Sequence, residues 1–207
     1  MTDPLAMEWF ERNCLCLRPP DLLVHVGAGR GAELPFYRGL KNTRILLIEP
    51  QADLAARLRR ETAGMANAEV LQVAVAGDSG EASLQCFNLP EFSSLRRPTG
   101  LIALFPGLVP TGMLSVQTLT LPDLVDGQRI DRNGDNWLVL DAFGVETEVI
   151  DALGADSLGH CFSQVFLRAG AQPLFDGDEP VECLLERLAE LGYEAPEIGR
   201  AHVCTPV

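Results

Sequence analysis

The sequence predicts an α/β domain in three layers, a mostly parallel sheet with helices on both faces. Five short, nearly continuous apolar runs, at residues 22–26, 44–48, 70–76, 137–140 and 162–167, read as strands buried on both faces. Helix-period patterns lie between them, and strand alternating with helix implies parallel strands joined by crossovers. The 207 residues are 47% hydrophobic and 22% charged, enough apolar material for one sizeable core and too much for a disordered chain.

In chain order, residues 1–20 read as an N-terminal extension. The first 12 residues carry acids and lack a basic region followed by an apolar core, so no secretory signal is expected. The run 22–26 leads straight into Gly27, and 44–48 ends at Glu49-Pro50. Residues 51–63 place Leu54 and Leu58 four apart, a helical face. A third strand is expected over 70–76. Between about 78 and 126 the alternation breaks. Residues 82–87 and 115–121 read as two further strands, the second half exposed, since Val116, Thr118 and Thr120 alternate with Gln117, Leu119 and Leu121. The stretch between them holds Pro98, Gly100, Pro106, Gly107, Pro110 and Gly112, and a loop of that length points to a functional segment or a lid.

The fourth run, 137–140, ends at Asp141, and Val145, Val149 and Leu153 recur at four-residue steps. After the run 162–167, Val181, Leu184, Leu185, Leu188 and Leu191 trace one helical face, with Gly192 placed to cap it. Residues 197–207 resemble the translation of a sequencing adapter and are read as a tail outside the domain, which then spans 21–196.

The formal net charge is −13, with 16 basic against 29 acidic residues, which argues against holding a nucleic-acid backbone. No apolar run approaches the ~20 residues of a membrane helix. Cys14, Cys16, Cys86, Cys161, Cys183 and Cys204 lack the paired spacing of a zinc site and read as reduced thiols, so a cytoplasmic location is expected.

The chemically informative stretch is Val24-His25-Val26-Gly27-Ala28-Gly29-Arg30-Gly31. A buried strand runs into a glycine-rich turn, and a helix is expected from Ala32, with free amides that favour an anionic group. The second strand ends at Glu49, 18 residues after Gly31, where a carboxylate can accept both hydroxyls of a ribose. Dinucleotide sites prefer G-x-G-x-x-G, whereas Gly27, Gly29 and Gly31 give G-x-G-x-G. That spacing is similar to that of class I S-adenosylmethionine (SAM) methyltransferases.

Several further pieces follow in order. They are Ile48-Glu49-Pro50, Val73-Ala74-Val75, Ser93-Ser94-Leu95, Thr120-Leu121-Pro122-Asp123-Leu124, and Leu140-Asp141-Ala142-Phe143-Gly144-Val145-Glu146. With the glycine stretch, they resemble the motifs of FkbM-type methyltransferases from about Asp21 to Tyr193. The resemblance implies a Rossmann-like three-layer sandwich of the class I methyltransferase type, with a final antiparallel strand expected after Tyr193 and at risk of loss to the tail. It implies SAM as cofactor, bound by His25, Gly27, Ala28, Gly29, Gly31, Glu49 and Ala74. Asp141 and Glu146 are the candidate catalytic acids, able to orient or deprotonate an acceptor hydroxyl. The structural alternatives are a helix N-cap for Asp141 and a first-turn acid for Glu146.

Two positions depart from the family pattern. His25 stands where the family has an Asp that helps hold the SAM ammonium, and reads as a neutral, partly buried imidazole filling the strand end rather than as a catalytic base. Phe143 stands where the family usually has Glu, and cannot take a proton. The function expected is O-methylation of a saccharide or other small metabolite. A non-catalytic binding or scaffold protein on the same fold is the alternative, and an NAD-linked oxidoreductase is disfavoured by the glycine spacing.

Overall fold

A computed structural model of the chain describes residues 17–154, 158 and 161–194. The elements run β1 (Leu22–Val26), α1 (Leu34–Tyr37), β2 (Arg44–Ile48), α2 (Ala52–Glu61), β3 (Ala68–Leu71), β4 (Ala74–Val75) and β5 (Gly80–Phe87). A 3-10 turn (Pro90–Phe92), α3 (Leu101–Leu104), β6 (Pro110–Leu119), α4 (Leu121–Gly127), β7 (Asn136–Leu140), α5 (Glu146–Leu153), β8 (Gln164–Leu167) and α6 (Val181–Glu190) follow.

The main sheet has five strands in the order β3-β2-β1-β7-β8, and every pairing in it is parallel. Counting only its own strands, the order is 3-2-1-4-5, the half-sheet arrangement that reverses direction beside the first strand. The strands are apolar on both faces because helices cover both. Leu22, Val24 and Val26 pack with buried residues of α4, α5 and α6, whereas Leu23 packs on the opposite face with Leu34, Tyr37 and Leu58. The α/β three-layer fold expected from the sequence is the fold found.

The sequence reading needs three corrections. Residues 70–76 are not one strand. β3 ends at Leu71, opposite Ile48, the last residue of β2, and Leu71 O then accepts the Glu49 amide. Since Pro50 brings no further donor, the chain leaves the sheet, and β4 pairs with β6 instead. β4, β6 and β5 form a separate three-stranded sheet in that order. The strand expected over 115–121 runs from Pro110 to Leu119, since β5 pairs with it from Gly80 to Phe87. Val116 and Thr118 are buried and Gln117 is exposed, as the alternation indicated, and Thr120 caps α4 by accepting the Asp123 amide. The helix expected from Ala32 is only the four residues of α1.

The segment between β5 and β6 carries the 3-10 turn and α3, and builds its own apolar cluster of Phe87, Leu101, Leu108, Leu174 and Phe175. Cys86 and Cys161 are buried thiols and Cys183 is half-buried. Cys14, Cys16, Cys204, the residues 1–16, the strand expected after Tyr193 and the tail 197–207 lie outside the described residues. Among the described residues no helix is long and apolar enough to cross a membrane.

Gly192 closes α6 as expected. At φ +87° it lets its amide reach Ala189 O at 3.0 Å and the Tyr193 amide reach Leu188 O at 3.0 Å, a Schellman ending. Gly192→Ala forces a Cβ into the left-handed region and is expected to cost ~1–2 kcal/mol of stability. Urea unfolding checks this as a lower midpoint at unchanged slope.

Candidate functional site

The carboxyl ends of the strands converge at the reversal point between β1 and β7. Gly27 follows β1, Glu49 follows β2, Asp141 follows β7 and Arg168 follows β8. A cavity of about 470 Å³ opens there, lined by these four residues and by Ala28, Gly29, Gly31, Glu33, Ala74, Leu89 and Phe143. That volume lies within the ~300–1,000 Å³ of small-molecule sites, and the position is where open α/β sheets receive ligands.

Gly27, Gly29 and Gly31 all have positive φ, at +82°, +50° and +73°. A Cβ on Gly27 would lie 2.0 Å from the Asp141 carbonyl oxygen, and one on Gly31 would strike Leu34 at 2.7 Å and Leu58 at 2.8 Å. Gly29 differs: a Cβ there would meet nothing closer than 3.8 Å, so its outer side is open to a ligand. Four of the turn's amides are taken up within the protein. Gly27 and Ala28 both donate to Ile48 O at 3.0 Å, Gly31 donates to Ala28 O at 2.9 Å, and Gly29 donates to Glu49 Oε2 at 2.9 Å. The turn is built to meet a carboxylate of the protein itself.

That carboxylate is the hub of the site. Glu49 Oε1 accepts the Gln51 amide at 2.8 Å, at the start of α2, while Oε2 accepts Gly29. Only 3% of Glu49 is exposed. Burial pushes its pKa up to about 7 against the lowering effect of the Gln51 and Gly29 amides. Each carboxylate oxygen has a second lone pair, so two amide bonds leave acceptor capacity for ligand hydroxyls.

A second charged group faces the cavity. Arg168 Nη1 donates to Asp141 Oδ2 at 2.7 Å, and its Nη2 lies 3.7 Å from Glu33 Oε1. Burial raises the Asp141 pKa, Arg168 opposes that, and Glu33 adds to it. The sequence reading missed Glu33 and Arg168. Glu33 lies just after the glycine turn, in a stretch expected to be helical from Ala32, and Arg168 follows the fifth strand run, whose end carries no motif. For Arg168 the available signal was a charged residue directly after a buried run, as for Glu49 and Asp141; Glu33 carries no such signal. Asp141 is not a helix N-cap, because α5 begins after Val145.

The remaining candidates separate. Ala28 is buried in the turn, and Ala74 is buried in β4 with its flanks on the cavity wall. His25 is buried behind the wall and does not line the cavity. Its Nδ1 meets the Tyr37 hydroxyl at 2.9 Å, and its Nε2 has no hydrogen-bond partner among the described residues. Burial lowers its pKa to about 4, with Asp141 raising it and Arg168 lowering it, so the imidazole is neutral at pH 7. Glu146 is also buried and off the cavity wall. Its Oε2 accepts the Gly144 amide at 2.6 Å, which ties the turn 141–145 to the first turn of α5. Burial pushes its pKa up to about 8, with Asp178 adding to the effect.

Phe143 is fixed by its neighbours. Ser94 Oγ donates to Phe143 O at 2.7 Å, and Gly144, at φ +88°, has no room for a Cβ against Ser94. The ring stacks between Phe92 and Phe175, with centroids 5.8 and 6.4 Å away. Across the mouth, Arg30 of the glycine turn lies 4.0 Å from Glu91, and Gln51 Nε2 donates to Pro90 O at 3.3 Å. Arg96 pairs with Glu148 and Arg97 with Asp176, so the Arg96-Arg97 pair turns away from the cavity.

No family model matches the chain, and no curated protein matches it. Among solved structures, it is similar to a coclaurine N-methyltransferase bound to N-methylheliamine and SAH, at 12% identity and a TM-score of 0.29. The likeness covers 41% of this chain and 36% of that one. A likeness over so little of either chain bears on neither the fold nor the site, which stand on the residues above.

The buried acids make stability depend on pH with a definite sign. Glu146 titrates near 4.5 when unfolded and at about 8 when folded. Its contribution is complete below pH ~4.5 and is lost as pH rises to about 8, because the unfolded chain releases that proton first. Glu146→Gln cannot ionise, so its stability relative to the wild type is expected to rise across that window, by at most ~1.4 kcal/mol per pH unit. Urea unfolding of both proteins at pH 5 and pH 8 measures the difference.

Proposed function

We propose that the cavity binds S-adenosylmethionine and that the chain transfers its methyl group to a small-molecule acceptor. The observation that carries this reading is Glu49. It is a buried carboxylate at the end of β2, bonded to the glycine turn, beside the sheet's reversal point. An acid so placed can accept both hydroxyls of a ribose by charge-assisted bonds. The open side of Gly29 gives the nucleoside a close approach to backbone, and Ala74 and its flanking residues offer an apolar wall to a base.

When bound, SAM supplies an electrophilic methyl group on a sulfonium. The chain's part is then mainly orientation, which alone can account for ~7–11 kcal/mol of a barrier. Phe143 gives the cavity an apolar wall rather than a charge. Asp141 is the carboxylate nearest to Phe143 in sequence, and its Oδ2 is taken by Arg168, which makes it a better orienting group than a base. The finer assignment, an FkbM-type enzyme acting on oxygen of a saccharide or similar metabolite, rests on the ordered motif pieces. Binding without turnover is the second reading. It is favoured by Glu146, the other candidate acid, which stays off the cavity and is spent on the Gly144 amide.

Calorimetry with S-adenosylhomocysteine and with NAD tests the proposal: the first is expected to bind and the second is not. Glu49→Gln should weaken S-adenosylhomocysteine binding by about 10- to 150-fold, the worth of a charge-assisted bond of ~1.5–3 kcal/mol. Ribose hydroxyls donate to the ionised carboxyl, so wild-type affinity should rise with pH through about 7, where Glu49 titrates, and the variant's should not. Equal affinities at pH 8 would move the ribose elsewhere.

A further inference from the structure

β6 leaves one edge of the small sheet open. Ser94 exchanges two backbone bonds with Gln85, at 2.8 and 3.1 Å, so the polar groups of Gln85 point away from β6. In an antiparallel ladder two opposite residues either both face each other with their polar groups or both face away. Met113, opposite Gln85, and Ser115, two residues on, therefore turn their N–H and C=O groups to the outer edge of β6. β4 covers that edge at Thr118 and Leu119, and Pro110 brings no donor at the other end. Between them, the backbone groups of Met113 and Ser115 on that edge have no partner among the described residues.

Edges of this kind are usually blunted by charges or covered by another element. This one is neither. Residues 98–122 contain no Asp, Glu, Lys, Arg or His, although 22% of the chain is charged. The same stretch holds five of the eight large apolar side chains exposed among the described residues, namely Ile102, Leu104, Val109, Met113 and Leu114. Glu81, on the neighbouring strand, is turned onto Ser115 Oγ. An uncharged, apolar edge is a template for another strand.

Charge and symmetry select that strand. With a formal net charge of −13, two copies repel wherever their acidic surfaces meet, and an uncharged face is where they can approach. A basic partner would find its attraction elsewhere on the molecule, whereas a second copy brings the same bare edge and covers both at once. The edge is also self-complementary. About a two-fold axis at Leu114, Met113 of one copy stands opposite Ser115 of the other, and each outward N–H meets a C=O. β4, opposite Thr118, limits such pairing to residues 112–116, the length of an ordinary short strand.

We infer that two copies of the chain associate by pairing β6 with β6, antiparallel about Leu114, with Met113 and Leu114 of both copies covered in the contact. The pairing is independent of what the cavity binds.

Sedimentation velocity of the full chain under reducing conditions tests this: the wild type should sediment with twice the chain's mass across the micromolar range. Leu114→Lys sets two ammonium groups opposite each other at the axis and should raise the dimer dissociation constant by at least ~100-fold. The register has a separate readout. Opposite residues in the closer pairs of an antiparallel ladder stand about 4.5 Å apart at Cα, within disulfide reach. Leu114→Cys should therefore give a covalent dimer under mild oxidation, whereas Gln117→Cys, away from the axis, should give no more than the wild type. A wild type that is monomeric across that range overturns the inference. So does a dimer in which folded Leu114→Lys associates as the wild type does, or in which Leu114→Cys cross-links no faster than Gln117→Cys. If Leu114→Lys does not fold, the cysteine pair decides the case.

Discussion

Gly27 passes the backbone of Asp141 so closely that a Cβ on it would lie 2.0 Å from that carbonyl oxygen. The contact joins the ends of β1 and β7, the two strands between which the sheet reverses. From it the chain is carried under Ile48 O, which accepts the Gly27 and Ala28 amides, and then past Glu49, which accepts Gly29. Three strand ends are thus locked in one place by one missing side chain and three backbone amides. The cavity is the space this lock leaves open. A larger residue at position 27 would part β1 from β7 and move Glu49, Asp141 and the turn together.

The lock has an electrostatic cost, and the molecule meets it by burying acids with backbone partners. Glu49 and Glu146 each accept a nearby amide, and each still titrates far above an ordinary carboxyl because burial outweighs those bonds. The two differ in what surrounds them. Glu49 lines the cavity, where a ligand can add donors to its oxygens. Glu146 sits behind the wall with Oε1 unpartnered among the described residues, where nothing but the turn can reach it. The same residue type therefore lines the cavity in one place and makes a structural tie in the other.

Much of this was legible in the sequence, and the exceptions have physical causes. The main-sheet strands stood out because both of their faces are covered, which removes the polar alternation that blurs most strands. Glu49 and Asp141 stood out because each follows such a run directly. The break after Leu71 did not, since Val70 to Ala76 is apolar but for Gln72 and only the end of β2 decides where pairing stops. Glu33 was missed for a related reason. Its importance comes from Arg168, some 135 residues away, and no local pattern reports a pair at that separation. His25 could be read either as a ligand contact or as packing, and Tyr37, twelve residues on, draws it away from the cavity.

The inserted three-stranded sheet explains where selectivity can reside. β4 leaves the main sheet only because β3 runs out of partners at Leu71, and it carries the chain to β5, the 3-10 turn and β6. That excursion brings Leu89 and Pro90 to the cavity mouth and Ser94 to the Phe143 carbonyl. The main-sheet half of the wall is fixed by close backbone contacts. Across the mouth the two halves meet, among the described residues, only through an exposed pair at 4.0 Å and a single bond at 3.3 Å, contacts that contribute little to stability, while the inserted half is anchored away from the mouth by Ser94 and by its packing on Leu174 and Phe175. The main-sheet half of the cavity can therefore stay constant while the inserted half changes its side chains, which on the proposed reading gives ligand selectivity to the residues that follow β5.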